Sequence, residues 1–255
     1  MAPRRIVSLV PSLTEILFTL GVGDAVAGCT IFCTQPPEGV AGTTRVGGEK
    51  NPNLELIREL GADLVLANVE ENLREHVETL RGWGIMVHVS YPRTVTEGIA
   101  LVRELGEVVG AEARGHALAD ALEARHRETR ARLAGRRAPR VFYPIWRKPW
   151  MTLSRDTYAH HMLADCGGDN VFADHGSRYP TITLEDVARA APEVILLPDE
   201  PYRFRRVHAR DFEAYPDVPA VREGRIHLVD GKLLTWYGPR IAEALETVPE
   251  LLGAG

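Results

Sequence analysis

Two stretches of this chain are versions of one another. LELIRELGADLVLA begins at Leu54 and LEDVARAAPEVILL at Leu184, and the two align without a gap at an offset of 130 residues. Each reads as a capped helix, a turn and a buried strand, with Asn53 capping the first helix and Gly61 stopping it. A second pair, GIMVHVS from Gly84 and GRIHLVD from Gly224, gives in both places a strand that opens after a glycine. Helix–turn–strand units recur in any α/β chain, but the matching order favours one plan used twice. Strands alternating with helices pair in parallel, so the expectation is two Rossmann-like α/β lobes.

Between the copies lies Ala111 to Gly135, AEARGHALADALEARHRETRARLAG. It holds no proline and is rich in good helix formers. Leu118, Leu122 and Leu133, with Ala117, Ala121 and Ala124, suggest a narrow apolar stripe at helical spacing. Glu123 with Arg127 and Glu128 with Arg132 are acid-before-base pairs four apart. The reading is one long helix connecting the lobes: residues 1–110 form the N-terminal lobe, 111–135 the connecting helix and 136–255 the C-terminal lobe.

Local signals fill in the plan. Arg5 to Val10 reads as the first strand, and Ser12-Leu-Thr-Glu15 as a capping box that starts a helix ended by Gly21. Ile31 to Pro52 reads as one long irregular loop, of a length that is usually functional. Glu71 to Arg81 reads as a helix. His88 and His227 fall in strands, where satisfied structural histidines are expected.

Hydrophobic residues make up 45% of the chain and charged ones 25%, which is ordinary for a globular protein. The net charge of −5 offers no basic field for nucleic acid. The cluster Arg203, Arg205, Arg206 and Arg210 is either a solvated loop or a local anion site. No stretch approaches the ~18 apolar residues of a membrane span. The apolar run IVSLV near the start is shorter than the roughly 7–15 residues of a signal-peptide core, which keeps a cytoplasmic chain open.

Catalytic signatures are missing: there is no G-x-S-x-G elbow, no phosphate loop, no H-E-x-x-H and no C-x-x-C. The three cysteines, Cys29, Cys33 and Cys166, do not describe a disulfide framework. Cys29 and Cys33 pair or hold a metal only if the fold brings them together. Aromatic residues, only 7% of the chain, gather in proline- and glycine-bounded loops after strands. Phe32 lies in the first long loop, Trp146 and Trp150 flank Arg147-Lys148-Pro149, Tyr179 precedes Pro180, Tyr202 and Phe204 follow Pro201, and Trp236-Tyr237 precede Gly238. Loops after parallel strands are where α/β folds bind ligands, and rigid rings suit a large flat or bulky one.

RIVSLVPSLTEILFTLGVGDAVAG, VGGEKNPNLELIRELGADLVLA, CGGDNVFAD and ITLEDVARAAPEVILL, in that order, resemble the helical-backbone substrate-binding proteins of cobalamin and iron–siderophore ABC importers, most of all the cobalamin binders. The resemblance runs from about Arg5 to Leu252. It implies two α/β lobes joined by one helix, a ligand cleft between lobes, no enzyme activity and no cofactor of the protein's own. The bound species would be a metal chelate such as cobalamin, a ferric siderophore or haem. It implies ligand contact by Phe32, Trp146, Trp150, Tyr179, Trp236 and Tyr237, and docking on the importer permease through carboxylates, with Glu71, Glu75 and Glu200 as candidates. Asn68 stands where cobalamin binders often carry tryptophan. An extracytoplasmic, monomeric protein is the implied setting. A cytosolic metal-cofactor carrier, or an enzyme using the same cleft, is the competing class.

Overall fold

The computed structural model describes residues 2–253. The central strands are short apolar runs, and segments between the strands become helices that carry the chain back. In chain order these are β1 (Ile6–Ser8), α1 (Pro11–Thr19), β2 (Val26–Cys29), α2 (Pro37–Val40), β3 (Thr44–Arg45), α3 (Leu54–Glu59), β4 (Leu64–Asn68), α4 (Arg74–Gly82) and β5 (Met86–Ser90). The strands form one sheet in the order β3-β2-β1-β4-β5, with every pairing parallel. β1 and β4 are buried along their whole length, and both read as apolar runs without alternation up to a polar last residue, Ser8 and Asn68.

A helical hairpin follows, α5 (Val95–Val108) and α6 (Glu112–Leu133). Then come β6 (Arg140–Phe142), β7 (Trp150–Met151), α7 (Tyr158–Asp165), β8 (Asp169–Asn170), β9 (Thr181–Ile182), α8 (Leu184–Ala190), β10 (Val194–Pro198), α9 (Pro219–Arg222), β11 (Ile226–Val229), α10 (Lys232–Thr235) and α11 (Arg240–Leu251). A second parallel sheet runs β11-β10-β6-β8, and β7 pairs with β9 as a separate antiparallel ribbon.

The chain divides into two compact units. The first holds the chain through Pro92, then Thr96–Glu123 and Trp236–Pro239; the second holds Arg93–Val95, Ala124–Thr235 and the chain from Arg240. The long helix therefore begins in the first unit and ends in the second. Trp236–Pro239 belongs to the first unit although it follows the second sheet in sequence. Gly238 shows the fit: a Cβ there would lie 2.4 Å from Cγ1 of Ile16, so only glycine lets this segment rest on α1.

The sequence repeat is a structural repeat. β4 and β10 sit at the same offset of 130 as the aligned stretches, and the helices before them are capped alike. The Asn53 side chain accepts from the Leu56 backbone N–H, and the Thr183 side chain accepts from that of Asp186. Asp63 accepts from the backbone N–H groups of Arg4 and Arg5 (2.9 and 3.2 Å), and Glu193 from that of Arg140 (2.9 Å). The Arg5 guanidinium donates to the Leu60 carbonyl, and that of Arg140 to the Ala190 carbonyl at 2.8 Å. Each arginine thus satisfies an orphan carbonyl at a helix end while each carboxylate pins the start of the neighbouring strand. Gly61 turns with φ +64°, and its counterpart Ala191 is forced into the same left-handed region at φ 45°. Gly84 and Gly224 match as well, at φ +80° and +66°.

Several local expectations are corrected. No capping box starts α1: Pro11 occupies its first turn, Val10 is the cap without a side-chain bond, and Ser12 and Glu15 lie inside the helix. The segment 31–52 is not wholly irregular, since it contains α2 and the edge strand β3. α4 starts at Arg74 rather than Glu71. In α6, Ala117, Ala121 and Ala124 are exposed. The buried stripe is Gly115, Ala119, Leu122, His126, Thr129 and Leu133, spaced alternately four and three apart. Its two polar members have partners: His126 Nε2 lies 2.6 Å from Asp165, and the Thr129 hydroxyl donates to the Leu245 carbonyl at 3.4 Å. His88 and His227 are not satisfied, for Nε2 of each is buried without a hydrogen-bond partner, and burial lowers the pKa of both.

Candidate functional site

In the first unit the loops after β2, β4 and β5 carry apolar side chains into solvent. Ile31, Phe32, Val69, Leu73 and Tyr91 are all exposed, with Phe32 at 54%. A buried amide network braces the loops beneath them. The Asn68 side chain donates to the Ser90 hydroxyl (3.2 Å) and accepts from the Glu70 N–H (2.8 Å). The Asn72 side chain accepts from the Asn68 N–H (2.8 Å) and donates to the carbonyls of Leu9 (3.3 Å) and Glu49 (3.1 Å). Asn68 is therefore a loop brace facing inward, and Val69 is the residue that the loop presents. Gly48 lies close under Phe32, where a Cβ would come within 3.6 Å of the ring.

Among these loops Glu49 and Glu71 share a hydrogen bond between their carboxyl groups. Burial, then the neighbouring Glu49, holds the Glu71 carboxyl well above the usual carboxylate range, and burial raises that of Glu49. Two carboxylates in contact cannot both ionise cheaply, so the pair keeps a proton. Glu75, in the first turn of α4, is exposed.

In the second unit the aromatic residues divide into two roles. Trp150 stacks on Phe204, with ring centroids 5.6 Å apart and planes 20° apart, and also lies 5.5 Å from Phe212. It is a core contact. Trp146 is 43% exposed and meets Tyr202 edge-on at 5.4 Å, and Tyr202 in turn lies 4.8 Å from Phe204. Tyr179 is exposed beneath the Arg178 guanidinium, which sits 5.6 Å from its ring. Arg147, next to Trp146, is clamped by both Asp211 oxygens at 2.6 and 3.0 Å, which fixes the loop. Tyr202 is the member of this surface that stands between Trp146 and the core. Its only signal in sequence was membership of the loop after Pro201.

An open pocket of about 420 Å³ lies at the carboxyl ends of β10 and β11, lined by Arg203, Arg205 and Arg206 together with Asp199 and Asp230. Glu200 is half-buried beside it, accepting from the Thr235 hydroxyl at 3.5 Å, with Lys232 Nζ at 3.9 Å. Trp236 and Tyr237 are almost fully buried, at 6% and 4% exposure, and belong to the first unit. Cys29 and Cys33 come together, but no group of three or more metal-ligating side chains forms among the described residues. Nor, among those residues, is any helix long and apolar enough to cross a membrane.

These features sit on a chain with close relatives in fold. The vitamin B12-binding protein of Vibrio cholerae is 27% identical over 246 residues, spanning 96% of this chain and 87% of that protein. An uncharacterized ABC transporter substrate-binding lipoprotein of Bacillus subtilis, YvrC, is 30% identical over 256 residues, spanning 97% of this chain and 79% of its own length. The crystal structure of the periplasmic vitamin B12-binding protein BtuF of Vibrio cholerae superposes with a TM-score of 0.87 at 26% identity, covering 98% of this chain and 97% of that one. The periplasmic haem-binding protein RhuT of Roseiflexus, at 24% identity and a TM-score of 0.83 over 98% of this chain and 99% of its own, shares the fold. Residues 6–233 match the periplasmic binding protein family, and the chain belongs to that family of binding proteins.

Proposed function

We propose that this protein is the substrate-binding component of an ABC importer and captures a bulky metal chelate, cobalamin-like before haem- or siderophore-like. The observation that carries the reading is the exposure of large apolar and aromatic side chains on braced loops beside the parallel sheets: Phe32 and Val69 in the first unit, Trp146 and Tyr179 in the second. Single exposed hydrophobics need no explanation, but sets of them held on rigid loops at the ligand-binding ends of α/β sheets do. Such sets of side chains suit the broad apolar faces of a macrocycle. Arg203, Arg205 and Arg206 around the open pocket favour a second class, chelates bearing carboxylates.

The permease contact in this reading uses carboxylates at the surface, Glu75 exposed and Glu200 half-buried. Glu75 suits it better than Glu71, whose carboxyl is engaged with Glu49. Glu200 is the candidate in the second unit. The protein acts outside the cytoplasm, as a monomer, and carries the chelate without altering it.

The test is calorimetric titration with cyanocobalamin, haemin and a ferric siderophore. Saturable binding of one of them with 1:1 stoichiometry is expected. Lack of heat with all three at tens of micromolar sinks the proposal.

A further inference from the structure

Two thiols that the binding role does not use are built into one buried cluster in the first unit. Cys29 ends β2, Cys33 follows four residues later, and both are fully buried. The backbone turns back between them, with the Cys33 N–H donating to the Thr30 carbonyl at 3.2 Å. The two thiols lie close enough for each to shift the other's titration. The Cys33 sulfur is bonded to the Thr14 hydroxyl at 3.1 Å and to that of Thr30 at 3.2 Å. Arg45, paired with Cys29 across β2 and β3, joins the cluster from the other side. Its Nη1 donates to the Cys29 sulfur (3.0 Å) and to the carbonyls of Thr30 (3.0 Å) and Cys33 (2.7 Å).

We propose that Cys29 and Cys33 are a redox-active dithiol that closes to an intramolecular disulfide by exchange with a low-molecular-weight disulfide. The arrangement separates the two roles that exchange requires. Hydrogen bonds from Cys29, then Thr14 and Thr30, bring the Cys33 thiol down to about 7. The same Cys29–Cys33 bond, together with burial, pushes the Cys29 thiol up. With the Thr14 and Thr30 hydroxyls both on its sulfur, Cys33 is the attacking thiolate and Cys29 the resolving thiol. A metal is the weaker occupant, because the Arg45 cation already faces the Cys29 sulfur and no group of three or more metal-ligating side chains forms among the described residues.

The chemistry balances without a further reactant. The Cys33 thiolate attacks one sulfur of the small disulfide, forming a mixed disulfide and expelling the other sulfur as a thiolate. That thiolate takes up a proton. Cys29 gives its proton to solvent and attacks Cys33 Sγ, forming the Cys29–Cys33 bond and expelling the second small thiol. Two protein thiols are oxidised, and one small disulfide is reduced to two thiols. Access comes through opening of the segment between the cysteines, where Ile31 and Phe32 are exposed. Closure staples the end of β2 to the loop that carries Phe32. The proposal is independent of which ligand that loop meets.

The native protein is equilibrated over a series of reduced-to-oxidised dithiothreitol ratios, quenched in acid, denatured and alkylated with N-ethylmaleimide. Its intact mass is then measured. The expected result is a fall from three adducts to one as the buffer becomes oxidising, the chain having three cysteines. Peptide mapping then places the remaining adduct on Cys166 and the link between Cys29 and Cys33. Cys166→Ser still loses two adducts. With glutathione disulfide, Cys29→Ser, which keeps a hydroxyl donor toward Cys33, accumulates a mixed disulfide on Cys33, whereas Cys33→Ser accumulates none on Cys29. Three adducts at every ratio, a link to Cys166 or between chains, or a metal adduct that blocks alkylation overturns the proposal. Capture of glutathione on Cys29 rather than Cys33 overturns the assignment of roles.

Discussion

A close backbone contact in the first unit lies inside the helical hairpin and gives a sharp prediction. A Cβ built on Gly106 of α5 would lie 2.8 Å from the Cα of Gly115 in α6, and one built on Gly115 would lie 2.8 Å from the Cα of Gly106. Carbon atoms rest about 3.5–4.0 Å apart. Either alanine therefore drives the two backbones apart by about 0.7 Å or more, with no flexible side chain to yield. The buried residues flanking the contact, Val102, Leu105, Ala119 and Leu122, lose packing with that shift. Overpacking of this kind costs about 1–3 kcal/mol, against about 1 kcal/mol gained from alanine's helix propensity. The net expectation for Gly106→Ala or Gly115→Ala is a loss of up to about 2 kcal/mol. Gly82, in the last turn of α4, has nothing within 4 Å of its Cβ position, so Gly82→Ala gains up to about 1 kcal/mol from the same propensity. Urea unfolding with midpoints and slopes compared across the variants reads both signs. If Gly106→Ala and Gly115→Ala unfold at or above the wild-type midpoint, the close-contact argument is wrong.

Other expectations follow from single features. Ala191→Gly removes a left-handed alanine, at φ 45° and ψ 59°, and should stabilise by about 1 kcal/mol; an unchanged urea midpoint refutes the strain. Glu71→Gln tests the carboxyl pair: a raised folded-state pKa means stability is fully present below the unfolded value near 4.5 and is lost as pH rises toward the folded value. The glutamine variant should thus melt above wild type at neutral pH, with the gap closing in acid; a gap of the opposite sign defeats the reading. Trp146→Ala and Tyr179→Ala should each weaken chelate binding by roughly 1–3 kcal/mol with little change in melting. Trp150→Ala should instead cost about 3–5 kcal/mol of stability, and calorimetry with thermal unfolding separates the two classes.

How much of this was legible depends on where the signal lived. The repeat was, because helix caps, positive-φ glycines and buried strands are written in residue types at fixed spacing: Asn53, Gly61, Gly84 and Gly224 stand where the structure needs them. The two short elements within 31–52 were not, since Thr44 and Arg45 are exposed polar residues in an edge strand with no alternation to read. The buried stripe of α6 was misread because His126 and Thr129 are polar and their partners, Asp165 and the Leu245 carbonyl, lie far off in sequence. Ser12 imitated a cap because its spacing to Glu15 was right, yet Pro11 had already begun the helix. At the candidate site, sequence located the aromatic loops but not the direction of each ring. Trp146 and Trp150 are four residues apart, and only packing against Phe204 and Phe212 turns the second inward.

The paired arginine–carboxylate clamps bear on how the chain folds. Asp63 ties back across 59 residues to Arg4, and Glu193 across 53 to Arg140. Loop closure at these two lengths differs by about 0.1 kcal/mol. Chain length therefore gives neither half a head start, and the order of their formation is decided by side-chain packing. Trp83 lies in the first half and Trp146 and Trp150 in the second, so fluorescence from single-tryptophan variants can time the two halves separately on one chain.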